Sequence, residues 1–177
     1  MHRLFVAIRP PHPVRERLLA LMGGVAGVRW QTEDQLHITL RFIGEVDRHA
    51  ASDIAAALSS VSHPPFEVSL NGIGTFDKRR QPATLWAGLA PHDPLKALHK
   101  KVDHACVRAG LPPEGRAYHP HITLARSKRG FGNGADFFER AGGLAGPPSL
   151  IDALALFEST LTPEGAVYTL IEDYPLR

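Results

Sequence analysis

The tetrapeptide His-Ile-Thr-Leu occurs twice in the chain, at residues 37–40 and 121–124. In an extended strand, the side chains of residues i and i+2 leave the same face. Each copy therefore presents an imidazole and a hydroxyl side by side, with the aliphatic side chains on the opposite face. Two such strands brought together supply two groups for proton transfer and two hydroxyls that can hold an oxyanion. The repeated motif thus indicates phosphoryl chemistry without a metal.

The two histidines can divide the work of one acid–base step. An imidazole with a pKa of about 6.5 can give or take a proton near neutrality, but it holds one protonation state at a time. His37 and His121 on opposite sides of a phosphorus atom can serve as acid and base together. Thr39 and Thr123 would donate hydrogen bonds to the nonbridging oxygens, where negative charge needs stabilisation. Arg126, five residues after His121, would add a positive charge to the same site. It lies an odd number of residues from Thr123, so we expect the strand to end or bulge near Ala125 and turn the guanidinium towards the histidines.

A metal site is the alternative reading of these residues, because His119 and His121 stand at i and i+2. Neither motif contains a carboxylate or a cysteine, and Glu45 lies beyond a glycine that is expected to end the first motif strand. We therefore expect no metal ligands and no cofactor. Only His121 is followed two residues later by threonine, so we expect His119 to lie in a loop or at the entry to the strand.

Hydrophobic periodicity indicates alternating strands and helices around the two motifs. The predicted strands are 3–9, 36–43, 66–70, 83–89, 121–125, 150–159 and 167–176, and the predicted helices are 14–22, 50–61, 94–109 and 135–141, with a loop over 130–134. Gly44 is expected to end the second strand. The motif strands lie nearly half the chain apart, which is typical of an internal duplication. We expect one domain over residues 1–177, made of two lobes that each contribute one motif strand.

Composition places the protein among ordinary globular chains and narrows its location. Cys106 is the only cysteine, so no intrachain disulfide can form and a reducing compartment is expected. No segment is apolar over a membrane-spanning length, and the first apolar run is stopped early by Arg9 and Pro10. We expect a cytoplasmic protein with no membrane partner. The formal net charge of +2 is too small for nonspecific wrapping by nucleic acid.

Two basic clusters and three aromatic residues are further candidates for contact with a ligand. The cluster at 126–129 follows the second motif directly and is expected to meet a phosphate, whereas the cluster at 78–80 is expected to be a solvated loop. Phe42 lies five residues after His37, which in a regular strand puts it on the opposite face and favours a place in the core. Trp30 and Trp86 are also expected to be buried rather than to stack on a base.

The residues around the motifs resemble the two-histidine (2H) phosphoesterase superfamily. Within it, the chain is similar to the bacterial and archaeal RNA 2′,3′-cyclic phosphodiesterases, which are also called 2′-5′ RNA ligases (LigT-like). The resemblance covers the opening strand at 3–8, the motif blocks at 36–44 and 120–126, and the closing segment at 157–168 with Tyr168. The two motif blocks together are highly specific, whereas the opening and closing strands alone are weak.

The resemblance implies an α+β fold of two pseudo-symmetric lobes, with two antiparallel sheets facing across a central cleft and helices packed outside. It implies hydrolysis of an RNA or nucleoside 2′,3′-cyclic phosphate to a 2′-phosphomonoester. His37 would protonate the leaving 3′ oxygen and His121 would activate water, while Thr39, Thr123 and Arg126 bind phosphate oxygens. The implied partners are RNA with a 2′,3′-cyclic phosphate end or a cyclic nucleotide, and we expect a monomer.

Two other functions use the same residues. A 2′-5′ RNA ligase would let a 5′-hydroxyl, rather than water, attack the cyclic phosphate, for example on tRNA halves. A non-catalytic RNA- or nucleotide-binding module would keep the cleft without turnover, although a binder has no need of two proton-transfer groups. The sequence does not separate hydrolysis from ligation.

Overall fold

The computed structural model describes residues 1–131 and 134–177. Within them, nine β-strands and four α-helices are present, with one turn of 3₁₀ helix at Glu33–Gln35. The strands are β1 His2–Ile8, β2 Arg29–Trp30, β3 Ile38–Val46, β4 Phe66–Lys78, β5 Gln81–Ala90, β6 His121–Arg126, β7 Ser149–Ile151, β8 Ala153–Thr162 and β9 Gly165–Pro175. The helices are α1 His12–Leu21, α2 Arg48–Leu58, α3 Asp93–Arg108 and α4 Ala135–Ala141. Of the loop predicted over 130–134, residues 132 and 133 lie outside the described residues.

The strands pair into one curled antiparallel sheet in the order β7-β4-β5-β6-β3-β1-β8-β9, with β2 added to β6. The motif strands β3 and β6 are neighbours at its centre, joined at the pair Ile38–Ile122. On either side, the strand that precedes a helix pairs with the motif strand that follows it, as β1-α1-β3 and as β5-α3-β6. The predicted α+β class with antiparallel strands is confirmed. The two expected sheets are the halves of this one sheet, because the motif strands pair with each other.

Apolar residues of the helices and of one sheet face form the core. The stripe predicted on α3 is buried, with Leu95, Leu98 and Val102 fully inaccessible to solvent. Val6 of β1 and Ile122 of β6 are equally inaccessible and belong to the same cluster. Burial of each such side chain stabilises the fold by about 1.5–3 kcal/mol. The core thus holds the motif strands by their aliphatic residues. No helix within the described part of the chain is long and apolar enough to cross a membrane.

Gly44 does not end the first motif strand, which corrects the sequence prediction. β3 continues to Val46, and the pairing between β1 and β3 passes from Phe42 to Gly44 without a partner for Ile43. Gly44 has a φ of 87°, a conformation that glycine adopts without steric cost. The glycine therefore accommodates a β-bulge inside the strand.

Candidate active site

The pairing of β3 with β6 brings both motifs to one place. His37 lies directly before β3, and His121 is the first residue of β6. The central antiparallel pair joins the isoleucines of the two motifs. This register sets His37 opposite Thr123 and His121 opposite Thr39. All four side chains therefore share the sheet face opposite the core, which we call the open face, and they are related by a local pseudo-twofold axis.

Each motif carries a β-bulge at its leucine. The pairing of β1 with β3 skips Leu40, and the pairing of β5 with β6 skips Leu124. An extra residue shifts the alternation of side chains by one, so residues after the bulge change face. Arg126 consequently lies on the same face as Thr123 instead of the opposite one. The bulge predicted near Ala125 is confirmed, one residue earlier than expected.

The bulge at Leu40 also moves Phe42 to the open face. Phe42 is 42% exposed, and the guanidinium carbon of Arg3 lies 5.1 Å from its ring centroid. The prediction of a core phenylalanine is wrong, because it assumed regular alternation after His37. By the pseudo-twofold relation, Phe42 occupies in the first motif the position that Arg126 occupies in the second. One side of the site is therefore aromatic where the other is cationic.

Both motif histidines are oriented by the backbone two residues earlier. The Nδ1 atom of His37 lies 2.7 Å from the carbonyl oxygen of Gln35, and that of His121 lies 2.6 Å from the carbonyl oxygen of His119. A carbonyl oxygen only accepts hydrogen bonds, so Nδ1 must carry the proton in each ring. The Nε2 atom of each neutral imidazole is then the ring nitrogen that can accept a proton.

Aromatic rings surround the two imidazoles. Phe5 and Tyr168 contact His37, with ring centroids 5.1 and 5.3 Å away, and Phe76 meets His121 edge-on at 4.9 Å. Apolar walls of this kind remove water from an imidazole and disfavour its charged form. The sequence interpretation did not assign these three rings to the site. Two of the three carried a signal, because Phe5 belongs to the opening strand and Tyr168 to the closing segment of the family resemblance.

The two tryptophans lie in different environments. Trp30 packs against Phe137 at a centroid distance of 5.5 Å and adds to the core, in agreement with the prediction. Trp86 pairs with Thr123 across the sheet and is half-buried on the open face, 6.2 Å from the ring of His121. A side chain at Gly74 would come within 2.2 Å of the indole. Gly74 therefore gives Trp86 the room to lie beside the motif.

Burial lowers the pKa of both motif histidines. For His37, desolvation lowers the pKa to about 4, and the charges of Arg126 and His121 act in the same direction against the hydrogen bond to Gln35. For His121, desolvation again lowers the pKa, helped by the charges of His119 and Arg126. The lowered pKa values make both imidazoles neutral at pH 7. An acid role for either one requires a bound anion that favours its protonated form.

Inorganic phosphate should raise the pKa of His37 from its low value towards 6.5. The physical reason is that an anion beside the ring stabilises the imidazolium and offsets the desolvation cost. The measurement is an NMR titration of the His37 ring proton with and without phosphate, with His104, an exposed residue of α3, as the internal reference. An unchanged His37 titration at saturating phosphate would contradict an anion site beside this ring.

A cavity of about 850 Å³ adjoins the motifs on the side of Arg126. Its walls include Phe76 and Tyr168, the rings that also contact the two histidines. Four cationic side chains line it: Arg29, Lys78, Arg126 and Lys128. The cluster at 78–80 was predicted to be solvated, and its three residues are exposed around the β4–β5 turn. Lys78 nevertheless faces this cavity and adds to its positive charge.

A second cavity of about 220 Å³ lies on the other side of the motifs. Thr39 and His121 line it together with Phe42, His119 and Arg116. His119 itself is exposed and lies in the segment just before β6, as predicted. The open face thus continues away from the paired motifs in two directions, one strongly cationic and one largely aromatic.

A metal centre was the alternative reading of the histidine-rich segment. Among residues 1–131 and 134–177, no group of three or more His, Cys, Asp or Glu side chains is arranged to hold a metal ion. His119 and His121 have rings 5.9 Å apart and nearly stacked, so they present faces rather than converging nitrogen atoms. The side chains around the motifs offer hydroxyls and cations, which suit an anionic ligand.

Most of the chain matches the sequence model of one protein family. The model of the 2′-5′ RNA ligase superfamily matches residues 10–160. The chain belongs to this superfamily. The resemblance to 2H phosphoesterases that the motif blocks carried is therefore confirmed, and the chain is an enzyme of the phosphoesterase type.

Relatives of similar length carry one description. An Archaeoglobus fulgidus protein named RNA 2′,3′-cyclic phosphodiesterase is 31% identical over 169 residues, which cover 94% of this chain and 96% of that protein. An Aeropyrum pernix protein of the same name is 32% identical over 164 residues, covering 89% and 93%.

Solved structures of the superfamily share the fold. A Thermus thermophilus protein superposes with a TM-score of 0.80 at 28% identity, covering 99% of this chain and 98% of that one. Escherichia coli LigT complexed with 3′-AMP superposes with a TM-score of 0.77 at 25% identity, with the same coverage.

Proposed function

We propose that this superfamily member hydrolyses RNA 2′,3′-cyclic phosphates to 2′-phosphomonoesters without a metal ion. The observation that carries the proposal is the register of β3 with β6, which sets two His–Thr pairs around one point on the open face. Both rings have Nδ1 tied to the backbone, which leaves both Nε2 atoms for proton transfer. The two halves each supply one pair, so the whole chain acts as one catalytic unit.

The proposed reaction is a single in-line displacement at phosphorus. His121 Nε2 takes a proton from water as the water oxygen bonds to phosphorus. The bond from phosphorus to the 3′ oxygen breaks, and that oxygen takes a proton from His37 Nε2, leaving the phosphate on the 2′ oxygen. Thr39 and Thr123 donate hydrogen bonds to the nonbridging oxygens, on which charge accumulates. Exchange of protons with solvent restores both imidazoles.

Binding of the cyclic phosphate would change the protonation state of His37. Burial holds the pKa of His37 near 4, so this ring is a poor proton carrier at neutral pH before substrate binds. The anionic cyclic phosphate favours the imidazolium, which creates the acid only in the enzyme–substrate complex. His121 has a pKa lowered in the same direction, which keeps it neutral and ready to accept a proton. The names of the curated relatives and the nucleotide held by E. coli LigT support the same substrate class.

The product of the reaction tests this proposal directly. Purified protein incubated with 2′,3′-cyclic mononucleotides should yield the 2′-phosphate and no 3′-phosphate, as read by chromatography against both standards. Turnover in EDTA should match turnover in untreated buffer within about twofold, because the proposed acid and base are side chains. Formation of the 3′-phosphate would exclude the assigned leaving group, and loss of turnover restored by a divalent cation would exclude the metal-free mechanism.

The cationic cavity favours an RNA strand over a mononucleotide as the substrate. Replacing both Lys78 and Lys128 with alanine should raise the KM for an oligoribonucleotide ending in a cyclic phosphate by about tenfold at low salt, because each lysine attracts a backbone phosphate. The KM for a cyclic mononucleotide should change by less than twofold. Arg79→Ala is the control, since Arg79 is an exposed turn residue that does not line this cavity. Equal effects on both substrates would show that the strand does not follow this path.

The second cavity favours 2′-5′ ligation as a second activity at the same site. His121, the proposed base, lines it, and its volume of about 220 Å³ is available to a nucleoside that presents a 5′-hydroxyl to that base. Incubation of a cyclic phosphate end with excess 5′-hydroxyl RNA would then give a product resistant to 3′-5′-specific nucleases. Binding of 3′-AMP without turnover of any cyclic phosphate would instead identify a non-catalytic binding module.

A further inference from the structure

Two side chains hold consecutive carbonyl groups of the first motif. The hydroxyl of Tyr118 donates a hydrogen bond of 2.8 Å to the carbonyl oxygen of Thr39. Nδ1 of His99 lies 2.6 Å from the carbonyl oxygen of Leu40, the bulged residue, and must be the donor because a carbonyl only accepts. The two rings stack on each other with centroids 4.2 Å apart and planes 5° from parallel. Together they form one rigid support under the Thr39–Leu40 segment.

The second motif has a different support. The carbonyl oxygen of Leu124 accepts a hydrogen bond of 2.8 Å from the backbone nitrogen of Gln31, next to β2. Both bulges leave the leucine carbonyl outside the regular ladder, where a buried carbonyl needs a donor. A backbone N–H group donates to the carbonyl at the second bulge, whereas the donors at the first bulge are the side chains of His99 and Tyr118. A point substitution can therefore remove a hydrogen bond that holds the first motif, whereas the backbone hydrogen bond at the second motif does not depend on a side chain.

The support also joins the two halves of the sheet. His99 belongs to α3, and Tyr118 lies three residues before His121 in the segment that enters β6. Direct pairing between β3 and β6 is confined, in the described chain, to Ile38–Ile122. A single pair fixes a point of contact but leaves rotation about that point. The bond from Tyr118 to the Thr39 carbonyl adds a second point close to both motifs.

A buried ion pair fixes α3 to the same strand farther from the site. Arg41 of β3 is 7% exposed and lies 2.9 Å from a carboxylate oxygen of Asp103 on α3. Its guanidinium also donates to the carbonyl of Pro112 and lies 3.8 Å from Glu114. These contacts anchor the helix and the start of the following loop. Tyr118 extends the attachment to the end of that loop, where the chain turns into the second motif.

We propose that Tyr118 and His99 are positioning residues that set the angle between the two motif strands, and with it the separation of His37 and His121 across the phosphate. The inference rests on the proposed function, since it concerns the geometry of that reaction. A phosphoryl transfer that needs an acid and a base in line is sensitive to displacements of about 1 Å, which can cost about 10²-fold in rate. Loss of either hydrogen bond lets the Thr39–Leu40 segment move relative to β6.

Tyr118→Phe is the first test, because it removes the hydroxyl and keeps the ring that stacks on His99. We expect kcat for a cyclic mononucleotide to fall about tenfold, with KM changed by less than twofold. Tyr174→Phe is the matched control, since the Tyr174 hydroxyl also donates to a backbone carbonyl, that of Ala55 at 2.9 Å, but joins β9 to α2. The control should lower thermal stability and leave kcat unchanged. Equal kcat in Tyr118→Phe and wild type would overturn the proposal.

His99 offers a test by rescue. In His99→Asn the side-chain amide nitrogen can donate to the Leu40 carbonyl as Nδ1 does, whereas His99→Leu cannot donate at all. We expect the asparagine variant to keep a kcat within about threefold of wild type and the leucine variant to lose about tenfold. Similar losses in both variants, in proportion to their unfolded fractions, would show a role in stability alone.

An NMR measurement separates this inference from the proposed function. The two motif histidines owe their low pKa values mainly to burial, so a looser junction that admits water should move both values towards 6.5. We expect this change in Tyr118→Phe and not in Tyr174→Phe. If wild type hydrolyses cyclic phosphates, kcat decides the inference. If wild type does not hydrolyse them, the proposed function fails, and the histidine titration alone tests the positioning role. Unchanged pKa values of His37 and His121 in Tyr118→Phe would then overturn that role.

Discussion

His37→Ala and His121→Ala should each lower kcat for a 2′,3′-cyclic nucleotide by about 10²- to 10⁴-fold, because each removes one partner of the acid–base pair. Both imidazoles make their hydrogen bonds through Nδ1 in the described chain and lie on the open face, so truncation opens space without disturbing the aliphatic core. Steady-state kinetics over pH 5–9 is the measurement. Wild type should show a bell-shaped profile, and each variant should lose one of its limbs.

His104→Ala is the control for these substitutions, since His104 is an exposed histidine on α3, away from the motifs. It should keep wild-type kinetics. Retention of more than about a tenth of wild-type kcat in either motif variant would remove that histidine from its role, given the usual contribution of a general acid or base. Chromatography of the variant that combines His37→Ala with His121→Ala should show no product above background.

Arg126→Ala should lower kcat/KM by about 10- to 100-fold, the equivalent of the 1.5–3 kcal/mol that a hydrogen bond to a charged group contributes. The loss should appear in KM as well as in kcat, because an arginine–phosphate contact forms in the ground state and in the transition state. The structural basis is the bulge at Leu124, which turns Arg126 onto the face of Thr123 and to the wall of the large cavity. Kinetics on cyclic mononucleotides measures both constants.

Arg126→Lys and Arg129→Ala complete that experiment. Lysine keeps the charge without the planar pair of donors and should recover part of the loss. Arg129 is exposed in the same basic cluster but does not line the cavity, so its removal should leave both constants unchanged. If Arg126→Ala alone matched wild type in kcat and KM, the phosphate contact would belong to the threonines and not to this arginine.

Loss of Arg126 should also change the titration of the neighbouring rings. Its charge lowers the pKa of both His37 and His121, so its removal should raise both values. Weaker phosphate binding would act in the opposite direction, because it would remove the increase in histidine pKa that the bound anion causes. Titrations of Arg126→Ala with and without phosphate therefore separate the two contributions of the guanidinium.

The sequence by itself determined the candidate acid–base and phosphate-binding groups of the two motifs and the face they share. A period of two places His37 beside Thr39 and His121 beside Thr123 wherever these residues form strands, because the alternation is a local property of extended backbone. The apolar stripe of α3 followed from its helical spacing for the same reason. Local rules of this kind need no knowledge of the partner strand, and they led to the correct family and fold class.

Only the tertiary structure decided which residues complete the site. The bulges at Leu40 and Leu124 depend on pairing with β1 and β5, strands distant in sequence, and they reverse the faces expected for Phe42 and Arg126 in a regular strand. The odd spacing before Arg126 predicts a bulge only if the arginine contacts phosphate, whereas the same spacing before Phe42 predicts a core residue because an aromatic side chain is stable there. Phe5 and Tyr168 contact His37 from opposite ends of the chain, and burial is the main cause of the lowered pKa of this ring. Long-range pairing and burial are global properties, so no local pattern encodes them.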